Sequence, residues 1–305
     1  MLAPPASITI IGFGEAGSIL GAELARQGCA LRSWDILLLS DTYRPRMLAR
    51  LSAAGVEPAP DLATALRGAA LVISAVTATE SAGVARDAAA VLAPGQVFLD
   101  INSVAPDTKR SSALAIEAAG ASYVEAAVMA PVPPQRLRVP MLLGGARAAQ
   151  LAESLNALGM DVTAVSRDVG VASAIKMCRS VMIKGLEALC VESLRTARHY
   201  GAEDAVLASL AASFPSMGWT QAQPDYLVSR IAQHGRRRAA EMREVAQTVA
   251  AAGLDPVMAT AIAVAQDALV DEMAAAGIGY DATRAFSLRE LADARATAAG
   301  TPTRR

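Results

Sequence analysis

Aromatic residues, cysteines and histidines are all scarce in this sequence, and each scarcity removes a class of chemistry. Phe, Trp and Tyr make up 4% of the 305 residues while 53% are hydrophobic, so small and aliphatic side chains must fill the core. The three cysteines, Cys29, Cys178 and Cys190, are too scattered for a disulfide framework or a Cys-x-x-Cys metal site. They read as small apolar fillers in a reducing compartment. The two histidines, His199 and His234, lie far apart, which argues against a zinc site and against a Ser-His-Asp hydrolase. No metal is expected. An excess of one charge is lacking too: the formal net charge of -1 provides no field to attract nucleic acid or an anionic membrane. Long apolar runs are missing. Met1–Ser7 holds two prolines and no basic segment, and Ile8–Ile11 is far too short for a signal core or a span. A soluble, cytoplasmic protein with no membrane partner is expected.

What is present is alternation. Ile8–Ile11, Ala30–Trp34, Leu71–Val76, Val97–Ile101, Ser122–Val124 and Met141–Leu143 read as strands. Ala16–Gln27, Pro60–Arg67 and Thr108–Ala119 read as helices between them, with Gly28, Gly68, Gly95 and Gly120 as stops. Strands alternating with helices predict βαβ units and a mostly parallel, doubly wound α/β sheet. The pattern changes near Val165. Val169–Tyr200 contains no proline and, past Gly170 at its start, one internal glycine, Gly185, and Gly201 supplies a stop. Ala205–Ser213, Tyr226–Ala252, Pro256–Ala275 and Ser287–Ala298 follow as helices with no strand among them. The expected organisation is a Rossmann-type domain over 1–166, an all-helical domain for substrate and dimerisation over 167–298, and a flexible tail over 299–305.

The first strand runs directly into Gly12-Phe13-Gly14-Glu15-Ala16-Gly17 and then into a helix. Gly12 permits a tight turn, Gly14 lets the backbone approach a pyrophosphate, and Gly17 lets helix and strand pack closely. The helix N-terminus adds free N–H groups and a positive dipole end. A glycine triplet alone is weak evidence, but here strand, turn and helix stand in the required order. About twenty residues on, the second strand closes at Asp35, whose carboxylate suits ribose hydroxyls and repels a 2′-phosphate. NAD is therefore favoured. Arg32 and Arg44 keep NADP open as the alternative, and Asp35 also reads as an ordinary surface carboxylate.

With these features the chain resembles the β-hydroxyacid dehydrogenase superfamily, which includes 3-hydroxyisobutyrate and 6-phosphogluconate dehydrogenases. The resemblance rests on Gly12–Gly17, on Asp100-Ile101-Asn102-Ser103-Val104-Ala105-Pro106, on Val124-Glu125-Ala126-Ala127-Val128 and on Gly170-Val171-Ala172-Ser173-Ala174-Ile175-Lys176. Its distal part is similar to a branch whose C-terminal domain has no known function. The resemblance implies that the nicotinamide end of the cofactor lies near Asn102 and Ser103, with Val76 and Thr77 in the same cofactor-binding set. That agrees with ligands binding beyond the carboxyl ends of strands. Asn102 and Ser103 also read as a simple turn, with Asp107 as a helix cap. Lys176 is implied as the general acid–base. Its reference pKa near 10.4 is unhelpful, and burial in an interdomain cleft beside Arg179 and Lys184 is expected to lower it. Lys176, Arg179, Ser180 and Ile183 share one helical face at this spacing.

The implied substrate set is Ser103, Met129, Ala130, Arg179, Ser180 and Arg237, for a small carboxylate-bearing hydroxy acid. The chain departs from the family here. Relatives hold the carboxylate on a Ser-Gly-Gly loop, whereas Met129-Ala130-Pro131-Val132-Pro133-Pro134 stands in its place, and Ser180 replaces an asparagine. Pro131 has no N–H to donate. Arg236–Arg238 read either as anion-binding groups or as a charged helix face in which Arg237 pairs with Glu241. The reading is an oxidoreductase acting on CH–OH. An imine reductase and an NAD-binding scaffold without turnover are the alternatives, and a homodimer is expected.

Overall fold

The computed structural model describes residues 7–298. The expected tail over 299–305 lies outside them. The chain divides into two compact units, Met1–Met177 and Cys178–Arg305.

The first unit opens with β1 (Ser7–Ile11), α1 (Glu15–Arg26), β2 (Ala30–Trp34), α2 (Arg44–Ala54), β3 (Glu57–Pro58), α3 (Leu62–Leu66) and β4 (Leu71–Ser74). It continues through α4 (Ala78–Ala89), β5 (Val97–Asp100), α5 (Pro106–Ala118) and β6 (Ser122–Val128). Then come α6 (Val132–Gln135), β7 (Pro140–Gly144), α7 (Ala148–Ala157) and β8 (Asp161–Ser166). The eight strands form one sheet in the order β3-β2-β1-β4-β5-β6-β7-β8. All neighbours are parallel except β6 and β7, so the last two strands run against the rest. Chain direction through the sheet reverses between β1 and β4, where a doubly wound sheet opens its ligand crevice.

Because side chains alternate along a strand, each central strand serves two cores. Ile8, Ile10, Leu71, Ile73, Val97, Leu99 and Val124 enter one core, while Ile11, Val72, Phe98 and Tyr123 enter the other. Burial on both faces explains why these strands read as near-continuous apolar runs. Two strands escape such a reading: β3 has two residues, and β8 is an edge strand carrying Asp161, Thr163 and Ser166. The strand expected at Ser122–Val124 extends to Val128, because Glu125 is buried inside the sheet and not at its end. Asp107 is not a cap. Pro106 already occupies the first turn of α5, and Asp107 pairs with Arg110 at 2.6 Å.

Helix α8 (Val171–His199) starts in the first unit and continues into the second. It is followed by α9 (Glu203–Ser213), α10 (Gln223–Ala251), α11 (Val257–Ala275) and α12 (Leu288–Ala298). Val191, Leu194, Trp219, Leu227, Val228, Ile231, Leu269 and Met273 form the core of this helical unit. Cys190 is buried there, and burial pushes its thiol up to about 11. Cys178 corrects the filler reading, since it is exposed on α8. No described helix is long and apolar enough to cross a membrane.

Helix α10 packs tightly on α11 at Gly235. A Cβ there would lie 2.5 Å from Val270 Cγ2 and 2.8 Å from the Gln266 carbonyl oxygen. At Gly185 in α8, by contrast, a Cβ would meet only Ile262 Cδ1 at 3.4 Å. Alanine gains roughly 1 kcal/mol over glycine in a helix interior, whereas overpacking costs about 1–3 kcal/mol. Gly235→Ala is therefore expected to destabilise, because a backbone oxygen cannot step aside, and Gly185→Ala to stabilise. Urea midpoints of the two variants shift in opposite directions; shifts of the same sign contradict this packing.

Candidate active site

The turn after β1 is built by exclusion. A Cβ on Gly12 would sit 2.6 Å from the Ala75 carbonyl oxygen, and one on Gly17 would sit 2.1 Å from the Gly12 oxygen. Gly12 also takes φ +86°, which side-chain-bearing residues rarely adopt. At Gly14 the situation is the reverse. Nothing lies within 4 Å of where its Cβ would be, and α1 begins there without any side-chain cap. Open space in front of uncapped helical N–H groups fits a pyrophosphate. Glu15 and Ala16 supply the first of those N–H groups. The Phe13 side chain, fully buried beneath Gly21, offers a ligand only its backbone.

That backbone is clamped from two sides. Phe13 N–H donates to Asp35 Oδ2 at 2.6 Å, and Arg50 Nη1 donates to the Phe13 carbonyl at 3.1 Å. Asp35 also accepts from Leu37 N–H at 2.9 Å, capping a short helical turn over Ile36–Leu39. It is thus a buried cap that ties β2 to the glycine turn, and not a surface carboxylate. Arg32 is engaged elsewhere, with Glu57 and the Thr64 carbonyl. Arg50 had no signal in the sequence beyond being one arginine among many.

Sheet register places Ser74 and Asp100, the last residues of β4 and β5, side by side with Glu125 in the middle of β6. All three are fully buried. Two carboxylates on neighbouring strands repel unless each is compensated. Asp100 is met by the buried ammonium of Lys109 at 2.9 Å, and Tyr123 OH donates to it at 2.7 Å. Burial first, then the Asp100 and Glu125 charges, push the Tyr123 phenol well above its usual range. Asn102 completes the network. Its Oδ1 accepts from Val76 N–H at 2.7 Å, while its Nδ2 donates to Ser74 Oγ at 3.0 Å and Ser81 Oγ at 3.2 Å. With both amide hydrogens used, Asn102 braces the Val76–Thr77 segment against β5. Ser103 is half-buried beside it, and Thr77 is exposed at the start of α4.

Glu125 is compensated differently. Its carboxylate accepts from Gly170 N–H at 2.6 Å, Ala172 N–H at 3.0 Å and Ser173 N–H at 3.3 Å, the orphan donors at the start of α8. Arg110 lies flat on Gly170, where a Cβ would be 2.8 Å from its guanidinium. Lys176, half-buried, follows on the second turn of the same helix. Burial then resolves the face of α8. Met177, Ser180, Lys184 and Glu187 turn inward, whereas Arg179 and Ile183 are exposed. Lys184 is ion-paired with Glu241 at 2.8 Å.

On α10 the guanidinium groups are already engaged. Arg236 pairs with Asp267 and Asp271, Arg237 with Glu241 four residues on, and Arg238 with Glu187 of α8. Arg237 thus follows the pairing that the charged-face reading expects. In the loop after β6, Met129 N–H donates to the Pro140 carbonyl at 2.9 Å, so only Ala130 keeps a backbone donor ahead of Pro131.

Residues 7–166 match the NAD binding domain of 6-phosphogluconate dehydrogenase, and residues 197–269 match a domain of unknown function, DUF1932. The first match spans more than half of the chain, which therefore belongs to that NAD-binding family. A conserved hypothetical protein from Sinorhizobium meliloti 1021 is 38% identical, with 98% of this chain and 97% of that one covered at a TM-score of 0.78. The conserved protein MTH1747, of unknown function and similar in structure to 3-hydroxyacid dehydrogenases, is 31% identical at 0.72, covering 87% and 97%. Mycobacterium tuberculosis 3-hydroxyisobutyrate dehydrogenase, solved with L-serine, is 15% identical at 0.72, covering 96% and 99%. An Aspergillus terreus imine reductase shares the fold at 17% identity and 0.57, covering 95% and 99%.

His234 carries a pH signature in the helical unit. Burial, then Arg230, Arg237 and Arg238, lower its pKa from the ordinary 6.5 to about 4. The unfolded chain therefore binds this proton first. Its contribution to stability is complete above about pH 6.5 and is lost as pH falls through about 4. The Tm of the wild type should drop across that window more than the Tm of His234→Gln. Parallel curves would remove His234 from this account.

Proposed function

We propose that the chain is an NAD(P)-dependent oxidoreductase acting on the CH–OH of a small, carboxylate-bearing hydroxy acid, with Lys176 as general acid–base. The observation that carries the reading is the pairing of two built features in one unit. One is the open, uncapped turn at Gly14, and the other is a helix anchored by Glu125 that carries Lys176 on its second turn. When bound, a nicotinamide nucleotide supplies or accepts the hydride. The backbone N–H groups of Glu15, Ala16 and Gly17 would receive the pyrophosphate. Asn102 would hold Val76 and Thr77 in place beside the ring, with Ser103 next to them. Lys176 would take the hydroxyl proton on oxidation and return it on reduction. NAD is the proposed cofactor over NADP, because the Asp35 carboxylate at the end of β2 would repel a 2′-phosphate and Arg32 is engaged by Glu57 and Thr64. A second copy of the chain is the proposed partner, covering the apolar outer side of α11 at Val257, Ala261, Val264 and Ala268.

One observation favours a second reading. Met129 N–H is used within the sheet and Pro131 has none, so the backbone cradle for a carboxylate is reduced. An imine needs no such cradle, and imine reduction on this fold is the alternative.

Lys176→Ala is expected to lower turnover of a hydroxy acid such as 3-hydroxyisobutyrate by roughly 10²–10⁴, the usual contribution of a positioned acid–base group. NAD affinity, set by the glycine turn, should stay the same. Near-normal turnover in a folded variant rules out the lysine mechanism. Light scattering that returns a monomer at working concentration rules out the homodimer.

A further inference from the structure

At the glycine turn the first backbone donors are committed one after another. Gly12 N–H donates to the Trp34 carbonyl at 2.9 Å, and Phe13 N–H donates to Asp35 Oδ2 at 2.6 Å. The Gly14 carbonyl accepts from Ser18 N–H at 3.1 Å, the first bond of α1. Among the described residues Gly14 N–H has no protein acceptor. No atom lies within 4 Å of the Gly14 Cβ position either, so side-chain packing does not fix the peptide that carries this N–H. Glycine is conformationally permissive, and a peptide plane beside it turns at little steric cost. Something else must hold it.

We propose that Arg50 is a positioning residue that aims the Gly14 N–H at the pyrophosphate of the nucleotide. This role rests on the reading of the glycine turn as the nucleotide site. Arg50 stands on α2 and donates from Nη1 to the Phe13 carbonyl at 3.1 Å. In a planar trans peptide the C=O and the N–H point in opposite directions. Holding the Phe13 oxygen toward α2 therefore turns the Gly14 N–H away from the guanidinium. Asp35 acts on the preceding peptide in the same way. With Phe13 N–H drawn to its carboxylate, the Gly12 oxygen is directed at Gly17, where a Cβ would lie 2.1 Å from it. One carboxylate and one guanidinium thus set two successive peptide planes.

Packing alone does not call for an arginine at this position. Met47 and Leu51 already anchor α2 in the core, while Arg44 and Arg46 on the same helix are exposed. Arg50 is half-buried, and among the described residues its one hydrogen bond goes to this turn. A guanidinium also keeps its positive charge, which suits a place beside an anion.

The probes are NADH and ADP, which carry a pyrophosphate, and adenosine, which lacks it; each is titrated against the full chain. In Arg50→Met the affinity for NADH and ADP should fall about 10- to 100-fold, the scale of a hydrogen bond to a charged group. Adenosine should bind as it does to the wild type, a split that general loosening of the site would not give. Arg50→Lys, which keeps a donor of similar reach, should recover most of the loss. Methionine and glutamine match arginine in helix propensity, and Arg50→Gln makes the same comparison where Arg50→Met does not fold. The loss should persist in about 1 M salt, where the Debye length is about 3 Å. A loss that vanishes there overturns the proposal, because Arg50 would then act as a screened charge and not by aiming a peptide. Equal losses for adenosine and ADP, or no loss at all, overturn it too. If the wild type binds neither NADH nor ADP, the nucleotide reading itself falls and takes this role with it.

Discussion

The carboxylate of Glu125 accepts three backbone N–H groups at the start of α8, and where that helix begins depends on this contact. A charged hydrogen bond is worth about 1.5–3 kcal/mol, and the positive end of a helix dipole adds to it. The surroundings leave the contact no slack. A Cβ on Gly144 would lie 2.5 Å from Glu125 Oε1, and Gly170 lies beneath the Arg110 guanidinium. Strand β6 therefore dictates where α8 begins, and α8 dictates where Lys176 stands. The neighbouring strand solves the same problem with a side chain instead of a helix, since Asp100 is neutralised by Lys109. Removing either compensating partner would leave an unpaired buried charge in the middle of the sheet, typically a loss of about 3–5 kcal/mol.

The glycine turn and helix α8 differ in how they are built. On the cofactor side, space and backbone donors do the work: Gly12 and Gly17 close the turn, Gly14 leaves it open, and Asp35 with Arg50 locks Phe13 between them. Side chains there support the backbone. On α8 polar side chains turn inward at Ser180, Lys184 and Glu187. The loop at Met129–Pro134 contributes shape and stiffness and few donors.

How much of this was legible in the sequence followed from the kind of constraint. The glycine turn was legible because steric exclusion demands glycine at fixed spacing, and the long helix α8 because no proline interrupts it. Lys176 was reached through a resemblance, not through periodicity. Asp100 and Glu125 lie within recognisable motifs, but their burial was not readable, because charge pairing across strands exists only once the register of β4, β5 and β6 is set. Arg179 was grouped with Lys176 and Ser180 on spacing alone, and a single helical face proved too coarse to separate it from them. Strand β8 carries too many polar residues to announce itself, and Asp107 looked like a cap until Pro106 was seen to start α5.

The central claim is that this chain moves a hydride between a nicotinamide nucleotide and a small substrate. Its most direct test follows nucleotide absorbance on the purified chain, with NAD and NADP in turn, against a panel of hydroxy acids and of imines and amines. The account predicts reduction of NAD by at least one hydroxy acid, with a weaker response from NADP. Absence of turnover across the whole panel, in protein that binds the nucleotide, would contradict it and leave a binding scaffold in its place.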